Sequence, residues 1–143
     1  MTEFRRVTAA FSVAPQIGLD DIARAAAEGF RVLINNRPDN EAPGQMTSAE
    51  AERAAKAAGL DYHALPFAGP PPPAVVAQTE TLLEQASGPV LAYCRSGTRS
   101  VTAWALAQAL AGALSPDEIV QRAAEAGYDL SGARPALESL SPR

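Results

Sequence analysis

The sequence predicts an α/β protein in which short apolar strands feed into helices. Three stretches carry that expectation. Val90 to Tyr93 is an apolar run that meets the only cysteine, Cys94, then a turn at Ser96-Gly97 and a long helical pattern, in the order strand, loop, helix. Phe30 to Ile34 shows no polar alternation after Arg31, as in a parallel strand covered on both faces. Val101, Ala103, Trp104, Leu106, Ala107 and Leu110 leave the last of these helices almost no polar face, which places it at the centre of the domain, with Trp104 in the core.

A chain of 143 residues is the size of one ordinary domain, so residues 1–143 are expected to bury a single core. Hydrophobic residues at 47% and charged residues at 20% fit a soluble globular protein, and the abundance of alanine favours helices. A net charge of −4 argues against a general nucleic-acid or anionic-membrane surface, and neither partner is expected. One cysteine excludes an internal disulfide, and with a single histidine it leaves too few soft ligands for zinc or an iron–sulfur cluster. No metal or cofactor is expected. No run approaches the roughly 18 apolar residues of a membrane span, and the cytoplasm is the expected compartment.

Taken in order, Arg5 and Arg6 precede a modestly apolar stretch to Ala14 that is only faintly similar to a secretory signal. Thr8 and Ser12 interrupt it, and the first one or two strands are expected there instead. Leu19 to Glu28 carries Leu19, Ile22, Ala23, Ala26 and Ala27 at helical spacing, with Asp20 and Asp21 where the helix dipole favours acids and Gly29 as the stop. After the Phe30 strand, Asn35-Asn36-Arg37-Pro38-Asp39-Asn40 is a turn. It falls at the carboxyl edge of the sheet, where open α/β folds bind ligands, so Arg37 and Asp39 are candidate pocket residues. Thr47 with Glu50 forms a capping box for a helix to Ala58, and Gly59 ends it. Leu60 to Leu65 is the next strand; its His63 has no sequence partner and reads as a packing or surface residue rather than a general base.

Phe67-Ala68-Gly69 and the four prolines to Pro73 form a stiff extended segment, followed by a helix over 74–86 with Val75, Val76, Leu82 and Leu83 inward. Gly88-Pro89 turns into the Cys94 strand. Beyond the central helix, Ser115-Pro116-Asp117-Glu118 is a strong helix start for a segment to Ala126. Gly127 to Gly132 is a turn, and Pro135 to Leu140 a short last helix.

The chemistry concentrates at Cys94. A cysteine where a strand ends and a helix begins lies at the floor of a ring of backbone N–H groups, at the positive end of the helix dipole, a site that holds an anion. Helix N-termini and guanidinium groups lower thiol pKa values, so Cys94 is expected to be mostly thiolate. Arg95 and Arg99 are within reach, and each guanidinium can grip an oxyanion in two places. Ser96, Gly97, Thr98 and Ser100 complete the loop as candidate binding residues. The plain alternative, a buried structural thiol, requires none of these neighbours.

Cys94-Arg95-Ser96-Gly97-Thr98-Arg99-Ser100 resembles the active-site loop of rhodanese sulfurtransferases and of the cysteine-dependent tyrosine and dual-specificity phosphatases. Those phosphatases carry five residues between Cys and Arg, whereas four separate Cys94 from Arg99, as in a rhodanese. Gly29 to Asp39, Ala58 to Pro66 and the loop followed by Trp104-Ala105-Leu106 are similar to the bacterial phosphatase-like domain of beta-lactamase hydrolase-like proteins, a likeness running from about Gln16 to Leu110. The resemblance implies a three-layer α/β/α fold of the dual-specificity-phosphatase type, around a mostly parallel sheet of four to five strands. It also implies Cys94 and Arg99 as catalytic residues. Because some members are fused to a metallo-hydrolase-like persulfide dioxygenase, such an enzyme is an expected functional associate. In the phosphatases, the loop after the fourth strand carries an aspartic acid that protonates the leaving alcohol; here that region has Ala68 and Gly69. Asp39 and Asp61 are the substitutes, and the sequence places neither.

Three readings follow. The short loop and missing acid favour sulfur transfer through a Cys94 persulfide, with a small anionic or persulfide donor, a thiol acceptor and Arg95 and Arg99 holding the anion. The alternative is a phosphatase working through a Cys94 phosphocysteine on activated phosphate monoesters. A third is an anion-binding or redox-sensing module without turnover.

Overall fold

The computed structural model describes residues 1–142. The chain begins with the hairpin β1 (Arg5–Thr8) and β2 (Phe11–Ala14), followed by α1 (Leu19–Ala27), β3 (Val32–Asn35) and α2 (Ser48–Ala57). Then come β4 (Asp61–Ala64), α3 (Pro73–Gln85), β5 (Val90–Tyr93), α4 (Thr98–Ala111), α5 (Pro116–Glu125) and α6 (Arg134–Leu140). The five strands form one sheet in the order β1-β2-β5-β3-β4, parallel throughout except for the β1–β2 hairpin. This is the predicted three-layer α/β/α arrangement. No helix among the described residues is long and apolar enough to cross a membrane.

Alternation along the strands divides the core into two layers. Leu33, Leu91 and Tyr93 pack with Ile22 and Ala25 of α1 and Ala51 and Ala55 of α2. Val32, Ile34, Val90 and Ala92 face the other way, onto α3, α4, α5 and α6. Strands β3 and β5 are buried along their whole length, as the unbroken apolar runs predict. Strand β4 is the edge, and its side chains are half-buried or exposed. It starts at Asp61 rather than Leu60 and ends at Ala64, because Leu60 still belongs to the turn that closes α2: its N–H donates to Ala55 C=O at 2.8 Å.

Helix α4 lies in the middle of its layer, against α3, α5 and α6, with Ser100, Val101, Ala103, Trp104, Ala105, Leu106, Ala107 and Ala109 buried. Trp104 is fully buried and stacks on Phe11 with ring centroids 5.7 Å apart. Four side chains on the expected stripes do not face inward. Leu110 is 36% exposed beside Pro70, Pro71 and Leu140, because it sits on the last turn of α4, where the helix reaches the surface. Leu19 is 55% exposed; the inward stripe of α1 is Ile22 and Ala25, and Ala23 and Ala27 point outward. Both expected capping boxes are present, at Thr47 with Glu50 and Ser115 with Glu118. Pro73 is the first residue of α3, where a missing N–H costs nothing.

Truncating Trp104 to alanine removes the ring that joins β2 to α4 and leaves a cavity that the surrounding helices can close only partly. Urea unfolding of Trp104→Ala should show a loss of about 3–5 kcal/mol. A loss under about 1 kcal/mol would place the load of this layer elsewhere.

Candidate active site

The carboxyl ends of β3, β4 and β5 are tied together by two buried asparagines. Asn36 donates its backbone N–H to Tyr93 C=O at 2.9 Å and its side-chain amide to Leu65 C=O at 3.0 Å. Asn35 accepts the N–H of Arg37 at 2.9 Å and donates to the Tyr62 hydroxyl at 3.0 Å. Buried polar groups need partners, and these side chains use theirs to set the strand ends level and aim the next turn across the β5 end. The Asn-Asn pair is legible in sequence only as turn chemistry; its function as a lashing between strands is tertiary.

Cys94 follows β5 and is fully buried. Its Sγ accepts the backbone N–H of Gly97 at 3.1 Å, so an amide dipole points at the sulfur from the residue that opens α4. Gly97 has φ of +96°, a conformation that glycine adopts freely, and a Cβ there would come within 2.1 Å of the Tyr128 hydroxyl. Ser96 faces solvent and its Oγ accepts the N–H of Thr98 at 3.4 Å, a weak cap on the first turn. Thr98 is exposed, with Oγ1 3.1 Å from Ser96 Oγ. Ser100 is buried one position past Arg99, and its Oγ has no hydrogen-bond partner among the described residues.

Arg99 is held by a residue that sequence reasoning missed. Its Nη1 and Nη2 meet Glu41 Oε2 and Oε1 at 2.9 and 2.8 Å, and Nη1 also donates to Phe67 C=O at 2.9 Å. These bonds occupy three of the five guanidinium N–H groups. The Nε–H and the second Nη2 N–H remain, parallel on one edge of the plane: a second fork that can receive an oxyanion. The same Glu41 Oε1 accepts Arg37 Nε at 2.9 Å. Arg37 is only 5% exposed, and its Nη1 donates to Gln16 Oε1 at 3.0 Å. Gln16 in turn donates its backbone N–H to Arg95 C=O at 3.2 Å, joining the β2 end to the Cys94 loop.

The electrostatics follow from this pairing. Hydrogen bonds from Arg99, opposed by partial burial and reinforced by Arg37, hold the Glu41 carboxyl at about 2 against an ordinary 4.5. Arg99 is pushed further up, first by Glu41 and less by the nearby Cys94 sulfur. Glu41 is therefore ionised at neutral pH and has no proton to give a leaving group.

The expected residues divide on inspection. Cys94, Ser96, Gly97 and Arg99 form one loop, and Arg37 joins it through Glu41. Arg95 extends its side chain into solvent, with no hydrogen bond or ion pair among the described residues. Asp39 is exposed and its carboxylate accepts the N–H of Ser48 at 2.8 Å, at the start of α2. Its hydrogen bond makes it a helix-end partner. Asp61 sits at the opposite end of β4 from the Leu65 side, and His63 lines a shallow cleft with Leu65 and α3 residues rather than the Cys94 loop. The missed residues, Glu41, Gln16 and Tyr128, carried no motif; an acid four positions after Arg37 was the only available sign.

The chain matches the family described as beta-lactamase hydrolase-like protein, phosphatase-like domain, over residues 3–111. It belongs to that family. A beta-lactamase hydrolase-like protein of Agrobacterium fabrum is 36% identical over 137 residues, 95% of this chain and 32% of that one. Another, from Xylella fastidiosa strain 9a5c, is 32% identical over 89% of this chain and 30% of its own length. The chain thus spans about a third of these curated relatives. A crystal structure from Neisseria meningitidis Z2491, described as a candidate phosphatase, is 32% identical with a TM-score of 0.80, covering 94% of this chain and 96% of that one. The fold is shared more widely: PTPMT1 superposes with a TM-score of 0.74 at 19% identity, over 96% and 93% of the two chains.

These likenesses are to phosphatase-like proteins, and sulfur transfer finds no support among them. The four-residue spacing that favoured it counts residues between Cys94 and Arg99 and says nothing of where the arginine fork points.

The Glu41 pairing is open to a pH test. A carboxyl held at about 2 in the folded chain and 4.5 when unfolded contributes stability above about pH 4.5, which is lost as pH falls through the interval to about 2. Glu41→Gln should melt a few degrees below wild type at pH 7, of the order expected for a partly exposed pair. That gap should hold down to about pH 5 and close below it; a gap unchanged at about pH 3 would contradict the pairing.

Proposed function

We propose that the protein is a cysteine-dependent phosphatase acting on phosphate monoesters with good leaving groups. The observation that carries this reading is the Cys94 sulfur facing the Gly97 amide, with Arg99 alongside and held by Glu41 so that one fork remains open. The family match and the related Neisseria structure support it.

In the first step, the Cys94 sulfur attacks phosphorus, an S–P bond forms and the P–O ester bond breaks, with the electron pair leaving on the phenolate or alkoxide. The Gly97 amide and the open Arg99 edge stabilise charge on the non-bridging oxygens. Water then attacks phosphorus, the S–P bond breaks with its electron pair returning to the Cys94 sulfur, and the water's oxygen and protons leave in the inorganic phosphate. Arg95, exposed in the Cys94 loop, adds positive charge that favours an anionic substrate.

The leaving group decides the substrate class. Residues Pro66 to Pro72 after β4 contain no acid, and Glu41 is held ionised. A positioned general acid contributes about a hundredfold to ten-thousandfold, a gain that poor leaving groups require and aryl or acyl phosphates do not. Sulfane sulfur transfer, which also needs no acid, is the competing chemistry at this thiol.

With p-nitrophenyl phosphate, the wild type should turn over and Cys94→Ser should lose activity by at least about a thousandfold. Arg99→Lys keeps the charge but loses both forks, and kcat/KM should fall by about a hundredfold. Across a series of phosphates, rates should drop steeply as the leaving-group pKa rises. Turnover by Cys94→Ser at the wild-type rate would exclude the mechanism. Gain of about 32 Da at Cys94 with thiosulfate, without phosphatase turnover, would return the case to sulfur transfer.

A further inference from the structure

The peptide between Ser96 and Gly97 is gripped at both ends. Its N–H donates to Cys94 Sγ at 3.1 Å, and its C=O accepts the Tyr128 hydroxyl at 3.1 Å. In a trans peptide these two groups point in opposite directions, so fixing the carbonyl outward fixes the amide toward the sulfur. A rotation of this unit would turn the carbonyl oxygen toward Cys94 and remove an N–H donor from the anion site. The glycine on its far side makes such a rotation cheap, because glycine tolerates φ of either sign.

We infer that Tyr128 is a positioning residue that locks the Ser96–Gly97 peptide with its amide facing Cys94. It rests on the reading of Cys94 as the reacting sulfur, and it assigns a function to a residue far from the loop in sequence.

Several features hold Tyr128 in place for this purpose. It is 8% exposed, and its backbone N–H donates to Ala123 C=O at 2.9 Å in the turn that ends α5. The Arg5 guanidinium lies over its ring at 5.3 Å from the centroid. Two glycines clear the space: a Cβ at Gly97 would meet the Tyr128 hydroxyl at 2.1 Å, and one at Gly127 would meet Arg5 Nη1 at 2.8 Å. The strand β1, the α5 end and the Cys94 loop therefore converge on one phenol. Burial raises the Tyr128 pKa, Arg5 opposes the rise and the Cys94 sulfur adds to it, so the hydroxyl stays a donor across the neutral range.

Tyr128→Phe deletes the hydroxyl and retains the ring, its volume and the Arg5 contact. The readout is the ratio of Cys94 alkylation rates by iodoacetate and by iodoacetamide, on protein whose melting curve shows it folded. The anionic reagent needs the inward amide and the neutral one does not. In Tyr128→Phe the ratio should fall about fivefold to tenfold, the worth of one hydrogen bond, and kcat/KM for an aryl phosphate should fall with it. A ratio within about twofold of wild type, on protein shown to be folded, would overturn the inference whatever happens to turnover. Because alkylation requires no phosphatase activity, the ratio still decides if no phosphate ester is hydrolysed.

Discussion

The Cys94 site depends on a helix and a strand meeting end to end. Strand β5 is buried on both faces and α4 is buried on most sides, so neither can shift to relieve strain at the loop between them. The sulfur is left where the Gly97 amide, at the start of a buried helix, points at it, and burial keeps that dipole from being screened. An anion placed there is stabilised without reorganisation, because the donors were ordered when the core packed. The apolar composition of α4 is thus part of the chemistry.

The second constraint is charge balance. Arg37 is nearly buried, and a guanidinium in that position needs a partner. Glu41 supplies it and takes one fork of Arg99 with the same carboxylate, while Gln16 connects Arg37 to the loop backbone. The arrangement orients Arg99 before substrate arrives, which lowers the entropy lost on binding. It also consumes the only carboxylate bonded to the site arginines among the described residues. The acid cannot both hold the arginines and deliver a proton, so under the proposed phosphatase reading the pairing that prepares the anion site also narrows the leaving groups.

The curated relatives are about three times as long as the chain, which therefore matches only one part of each. Within it, the junction of β5 and α4 places Cys94 and Arg99, and the supporting residues come from other elements of the fold. Glu41 comes from the turn after β3, Gln16 from the end of β2 and Tyr128 from the end of α5. Each reaches the loop from a different element, and each acts on a backbone group or on another side chain.

Much of the fold was readable from local patterns. The unbroken apolar runs of β3 and β5, the capping boxes at Thr47 and Ser115 and the nearly all-apolar α4 are short-range signals, set by backbone geometry and the spacing of side chains on a helix or strand. The cysteine at a strand end followed by a glycine turn likewise pointed to an anion site. The bond from Ser48 N–H to Asp39 was not legible, because a carboxylate in a turn looks the same whether it faces a pocket or a helix end. Gln16 and Tyr128 had no readable sign, since their partners are 21 and 32 residues away, and for Glu41 the spacing of four from Arg37 gave no hint of Arg99, 58 residues on. By itself the sequence determined the elements, the buried layers and the candidate nucleophile. Which side chains complete the site, and which arginine fork stays open, was decided by the packing of the sheet against its helices, because those contacts exist only once distant segments are brought within hydrogen-bond reach.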